Sequence, residues 1–194
     1  LDAFIENNIS ESDFNTSTGY GYNDIGRDKI EDVYASIFKA EDALVRSQFI
    51  SGTHAISTCL FALLRPGDIM LSISGKPYDT LDTIIGFNDN QSSLKAFNID
   101  YKQIDLIDNN FDYNNIKDIL SNNKIKLIEI QRSKGYSTRE SISIDKIEEV
   151  IRLIEVGSKE IVFKKDEIRL FKKLLEVTKK DEKESFFLKI KKLL

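Results

Sequence analysis

The sequence predicts an α/β fold: a parallel sheet with helices on both faces. Three observations carry this expectation. Apolar runs of strand length recur at residues 43–50, 68–73 and 126–130, each bounded by turn-forming residues. Amphipathic stretches of helix length alternate with them, and the repeat matches the length of a βαβ unit. The chain has 194 residues, 41% hydrophobic and 31% charged, which suits a sizeable core in one domain or slightly more.

Residues 1–15 read as a short helix followed by a polar connector. The segment Thr18-Gly19-Tyr20-Gly21-Tyr22-Asn23-Asp24-Ile25-Gly26-Arg27-Asp28 is punctuated by glycine and rich in tyrosine. It offers donors for a phosphate or carboxylate, or it is a loop whose tyrosines pack on the surface. From residue 28 to 40, Ile30, Val33, Tyr34, Ile37 and Phe38 have helical spacing, with Asp28 near the helix start to complement its dipole. Residues 43–50 read as the first strand. A helix over 56–64 follows and stops at Arg65-Pro66-Gly67-Asp68, with Cys59 among its core residues. Residues 68–73 make the second strand, Ser74-Gly75-Lys76-Pro77-Tyr78 a turn, and 80–85 a helix. Residues 95–107 suit one or two strands. A helix over 113–121, capped by Asn114, precedes a strand at 126–130. A helix over 145–154 carries the stripe Ile147, Val150, Ile151, Ile154.

Composition narrows the function classes. One cysteine excludes an internal disulfide framework and fits a reducing cytoplasm. A single His and a single Cys argue against a zinc site. No apolar run reaches membrane-spanning length, and no basic-then-apolar leader opens the chain. The net charge of −4 gives no reason to expect nucleic acid. The charge is uneven, however. Residues 157–194 hold 12 Lys and Arg against 7 Asp and Glu, leaving 16 against 25 in the rest. That shift predicts a boundary: one domain over 1–156, and a basic tail over 157–194 with helices at 167–177 and 182–194.

The chemistry gathers at Ser51-Gly52-Thr53-His54-Ala55, where a strand is expected to turn into a helix. Glycine lets a ligand approach the backbone, and a helix start presents free N–H groups and positive dipole to an anion. Ordinary capping by Ser and Thr is the other reading. Ligands of open α/β sheets bind beyond the carboxyl ends of the strands. Loops leaving Ile50, Ile73 and Ile130 would therefore bring Gly52, Thr53, His54, Tyr78 and Arg132 to one crevice.

Several motifs in order carry a resemblance. They are Gly19-Tyr20-Gly21-Tyr22 with Asp24, Gly26, Arg27 and Asp28; Glu41-Asp42-Ala43-Leu44-Val45-Arg46; the Ser51 stretch; Pro77-Tyr78-Asp79-Thr80-Leu81; and Gln131-Arg132-Ser133-Lys134-Gly135-Tyr136. Over about residues 1–155 the chain resembles the methionine gamma-lyase-like family, also called aluminium resistance proteins, among the fold type I pyridoxal 5'-phosphate (PLP) enzymes. The resemblance implies part of the aspartate aminotransferase-like large domain, followed by a helical tail. It implies PLP as cofactor, with Gly52, Thr53 and His54 at its phosphate and Tyr78 over its ring, where the phenol also assists proton transfer. Tyr22 and Arg27 would reach the phosphate of a neighbouring subunit, so a homo-oligomer is implied. Arg132 would bind a substrate carboxylate.

The pattern then breaks. The family's chemistry needs an aspartate on the pyridine nitrogen and a Schiff-base lysine, and both motifs follow the point matching Glu155. Here Val156-Gly157-Ser158-Lys159-Glu160-Ile161-Val162-Phe163 follows, and neither motif is recognisable. Lys76 and Lys134 stand near the expected site without further support. The expectation is a carbon–sulfur lyase acting on a sulfur amino acid, incomplete in this chain. The alternatives are an inactive fragment or pseudoenzyme serving as a binding module, and another fold type I activity such as aldolase or aminotransferase.

Overall fold

The computed structural model describes residues 1–17, 24–157 and 187–191, with side chains described through residue 155. Two compact units divide at residues 51 and 52.

In the first unit, α1 (Asp2–Glu6) leads to a 3₁₀ turn at Glu11–Phe14. The turn is closed by a reciprocal cap: Ser10 donates its N–H to the Asp13 carboxylate. Helix α2 (Ile25–Phe38) begins three residues before the expected start, because Asp24 is its N-cap and accepts from the Arg27 N–H. Asp28 lies in the first turn, as the dipole argument requires. The expected strand over 43–50 does not form, which corrects the sequence reading. Leu44 and Ile50 are 64% and 84% exposed, and the Val45 N–H goes to the Glu31 carboxylate at 2.8 Å. The run is apolar, but the Val45 donor goes to a side chain and the Phe49 N–H closes a turn onto the Arg46 carbonyl, so neither joins a ladder.

The second unit opens with α3 (Gly52–Leu63) and holds a sheet of order β2-β1-β3-β4. Strands β1 (Ile69–Ser72), β2 (Asp100–Gln103) and β3 (Ile125–Gln131) are parallel, as α/β patterning predicts. Met70 and Leu127 pack with Leu60 of α3 and with Leu64 just after it, while Leu71 and Ile128 on the opposite sheet face are equally buried. A strand covered on both faces reads as a continuous apolar run, which is how β1 and β3 were visible in sequence. Helix α4 (Asp82–Ile85) is a single turn after a 3₁₀ turn at Asp79–Leu81. Residues 95–97 form a 3₁₀ turn, so the expected 95–107 strand shrinks to β2. The cap of α5 (Tyr113–Asn122) is Asp112, not Asn114: its carboxylate accepts from the Asn115 N–H at 3.1 Å. Helix α6 (Ile144–Gly157) buries Val150 and Ile154.

The tail departs most from expectation. Phe187–Lys191 is a strand, β4, antiparallel to β3 and in register with Leu127–Gln131, where a helix over 182–194 was expected. Alternation of Phe187, Lys189 and Lys191 with Leu188 and Ile190 is a period-two pattern as well as a helical one, and the open edge of β3 selects the strand. The expected helix over 167–177 lies outside the described residues. Among the described residues no helix is long and apolar enough to cross a membrane.

Candidate cofactor-phosphate site

The site is assembled where α3 begins. Gly52 is the first residue of a twelve-residue helix, so its N–H and those following it lack intrahelical acceptors. A Cβ built on Gly52 would meet nothing within 4 Å, so packing of the chain does not demand glycine there. Thr53 donates its hydroxyl to Thr80 Oγ1 at 2.9 Å, tying the helix start to the segment after β1. His54 is exposed, and its carbonyl accepts from the Ser57 and Thr58 hydroxyls at 2.9 Å each. Cys59 is exposed on α3, which corrects its assignment to the core.

The Tyr78 segment is held from two sides. Pro77 fixes the approach, and the Leu81 N–H closes a turn onto the Tyr78 carbonyl at 2.8 Å. Gln131, at the end of β3, accepts the Tyr78 N–H on Oε1 at 2.7 Å. The Tyr78 ring lies 5.5 Å from that of Tyr136, tilted by 33°. A hydrogen bond with Tyr136 and burial together push the Tyr78 phenol up to about 12.

Two residues before Gln131, Glu129 is 5% exposed within β3. Its Oε2 lies 2.7 Å from Ser72 Oγ, which is also 2.6 Å from the Gly75 carbonyl. Its Oε1 is buried without a hydrogen-bond partner among the described residues. Burial pushes the carboxyl up to about 7, against a smaller lowering by Ser72. A hydroxyl has one proton, so the neutral acid donates to Ser72 while Ser72 donates to Gly75.

Of the expected site residues, Gly52, Thr53, His54 and Tyr78 gather here, in the second unit. Arg132 follows Gln131, and its Nε donates to the Ile142 carbonyl at 3.2 Å. Arg27 belongs to the first unit, where its Nε pairs with Asp24 at 2.9 Å. Tyr22 lies outside the described residues. Lys76 pairs with Asp82 at 2.7 Å, and Lys134 is exposed in a turn closed by Ser137. Sequence reasoning missed Thr80, Gln131, Gly135 and Tyr136 as site residues. The signal was there for one of them: a strand buried on both faces has no use for a glutamine unless its amide is engaged. Among the described residues no cluster of His, Cys, Asp or Glu could hold a metal ion.

The methionine gamma-lyase family matches residues 1–172. The chain belongs to that family. An uncharacterised protein of Bacillus subtilis (strain 168), YnbB, is 50% identical over 167 residues, covering 84% of this chain and 39% of YnbB. A candidate cystathionine beta-lyase involved in aluminium resistance from Clostridium acetobutylicum superposes with a TM-score of 0.78 at 51% identity, over 82% of this chain and 38% of that one. A carbon–sulfur lyase involved in aluminium resistance from Clostridium novyi NT gives 0.77 at 45% identity, over 84% and 39%. The chain therefore spans about two fifths of the length of the family members it matches.

Proposed function

We propose that this chain forms the cofactor-phosphate-binding part of a PLP-dependent carbon–sulfur lyase acting on a sulfur amino acid such as methionine or cystathionine. The observation that carries the proposal is the joint at the start of α3. There an open glycine, the following N–H groups and the Thr53–Thr80 pair converge beside the Tyr78 loop. These residues fit a phosphate dianion: donors point outward from a helix N-terminus, and no side chain is required to fill the space over Gly52. PLP, when bound, supplies an electron sink for charge developing beside the amino nitrogen. Gly52, Thr53 and His54 would hold the phosphate, and Tyr78 would cover the ring. The Tyr78 phenol, protonated at neutral pH as any tyrosine is, would donate a hydrogen bond and assist proton transfer as an acid. Arg132 would take the substrate carboxylate once its Nε leaves Ile142. Tyr22 and Arg27 would act on the site of a second copy, making the working form a homo-oligomer, in the cytoplasm. Residues 157–194 would form a basic tail that returns to the sheet through β4.

A second reading is favoured by the lysines. Lys76 is engaged by Asp82, Lys134 sits in an exposed turn, and the chain spans only about two fifths of its relatives. On that reading the isolated chain binds the cofactor or a partner without turning over an amino acid.

Titration with PLP, with pyridoxal as the phosphate-free control, tests the proposal, followed by borohydride reduction and peptide mass mapping. The expected result is saturable binding of PLP, much weaker binding of pyridoxal, and loss of that preference in Gly52→Ala. Equal binding of the two aldehydes, or a Gly52→Ala variant with unchanged preference, would overturn it. One uniquely modified lysine would favour the enzyme. Scattered labelling would favour the binding module.

A further inference from the structure

Gln131 closes strand β3 and is 5% exposed, yet every polar group it carries is engaged. Its N–H donates to Ser74 Oγ at 2.7 Å, and its carbonyl accepts from Arg139 Nη2 at 3.2 Å. Its side-chain Oε1 accepts from the Tyr78 N–H at 2.7 Å, and Nε2 donates to the Ser133 carbonyl at 3.2 Å. The amide orientation is fixed by these partners, since a backbone N–H can only donate and a carbonyl can only accept.

We propose that Gln131 is a positioning residue for Tyr78: its amide bridges the Tyr78 backbone to the loop that carries Gly135 and Tyr136, and so sets where the Tyr78 ring stands. The inference rests on the reading of Tyr78 as the residue covering the cofactor ring, and it adds the group that holds it there. The bridge needs one acceptor and one donor on the same planar group, at the reach of a side chain leaving a strand end. A carboxylate supplies two acceptors and an aliphatic chain supplies neither, which leaves an amide. The loop beyond is wound about the same point. Arg139 donates to the Ser133 carbonyl at 2.6 Å, and Ser137 closes a turn onto Lys134. A Cβ on Gly135 would stand 3.3 Å from the Tyr78 ring and 3.7 Å from the Gln131 amide nitrogen, so this glycine is the floor on which both rest. Tyr136 then meets the Tyr78 ring. Displacing the amide therefore frees the backbone of Tyr78 and the wall against its ring together.

Amide hydrogen exchange and ring-to-ring NMR contacts in the full chain test this. In Gln131→Met the Tyr78 amide should exchange at least about 10-fold faster, because its half-buried donor has lost its acceptor. The Tyr78–Tyr136 contacts should weaken, while amides of β1 keep their native rates. Gln131→Glu provides a reversible counterpart. Its protonated acid accepts from Tyr78 and donates to Ser133 as the amide does, so contacts are native-like at low pH and lost as the acid ionises. Native Tyr78 exchange and ring contacts in Gln131→Met would overturn the proposal. So would a Gln131→Glu chain whose Tyr78 contacts are indifferent to pH, or acceleration of all core amides equally. The same samples titrated with PLP should show weaker binding in Gln131→Met. If the unsubstituted chain binds no PLP, the cofactor reading fails while the exchange data still decide the role of Gln131.

Discussion

Replacing Glu129 by Gln should make the protein more stable above neutral pH and leave it nearly unchanged in acid. The carboxyl is buried in the middle of the sheet, with one oxygen on Ser72 and the other without a partner among the described residues. Burial moves it from an ordinary 4.5 to about 7. Below about 4.5 the acid is protonated in both folded and unfolded chains, and it contributes no pH dependence. Between 4.5 and 7 the unfolded chain releases the proton that the native chain keeps. Stability then falls with rising pH, by about 1.4 kcal/mol per unit in mid-window. Above 7 both forms are ionised, and the accumulated loss is about 3 kcal/mol. Glutamine keeps the shape and a donor toward Ser72 Oγ while Ser72 donates to Gly75, and it carries no titrating proton. Urea denaturation of both chains at about pH 4, 6 and 8 measures the difference, in which every shared titrating group cancels. The expected gap is close to zero at the lowest pH and widens to about 3 kcal/mol in favour of the variant at the highest. Parallel curves, or a variant less stable in base, would refute the assignment of a buried neutral acid.

Other perturbations separate packing from binding. Gly86 ends α4 at φ +102°, and a Cβ there would stand 2.7 Å from Ser93 Oγ and 2.8 Å from Lys95 Cβ. Gly86→Ala should lose about 3 kcal/mol of stability in denaturant melts, combining left-handed strain with overpacking. Gly52→Ala should leave stability nearly unchanged, since the added Cβ meets no atom within 4 Å, while weakening PLP binding. The Asp24 carboxyl is held below its ordinary value first by the Ser17 hydroxyl, with the Arg27 N–H and guanidinium adding to it. A depressed acid contributes stability above its unfolded pKa and loses it as pH falls. Asp24→Asn should therefore lower the melting temperature near neutrality, and the difference should close in acid.

Much of the fold was legible because burial on two faces writes itself into sequence. Ile69 to Ile73 and Leu127 to Ile130 are apolar at nearly every position, and both faces of the sheet they build are buried. Helix α6 showed its stripe of Ile147, Val150, Ile151 and Ile154 for the related reason that one face is buried. What failed was any inference that depended on a neighbour. Residues 43–50 have the composition of a strand, but pairing is a property of what lies alongside, and there the Glu31 carboxylate takes the backbone donor instead. Phe187–Lys191 carries both periods, and only the free edge of β3 selects between them. The site divides in the same way. Gly52, Thr53 and Tyr78 were visible because local turn chemistry marks them. Gln131 and Tyr136 act through contacts fifty residues or more away in sequence, or through a loop fold that no short motif encodes.

The glycines give the sharpest internal comparison of what serves the fold and what serves a ligand. Gly86 has a backbone angle that disfavours side chains and neighbours that exclude a Cβ, so the fold itself accounts for it. Gly26 faces the Asp13 carbonyl so closely that any side chain would collide with backbone. Gly52 has neither constraint. It is the first residue of α3, and alanine there would be tolerated by every atom within 4 Å. Helix propensity alone would favour that alanine. A glycine that stands against propensity at a helix N-terminus, with open space above it, is the pattern expected where a phosphate must approach the backbone. The same logic makes Gly52→Ala the decisive variant: it can weaken PLP binding only by filling the space that a ligand uses.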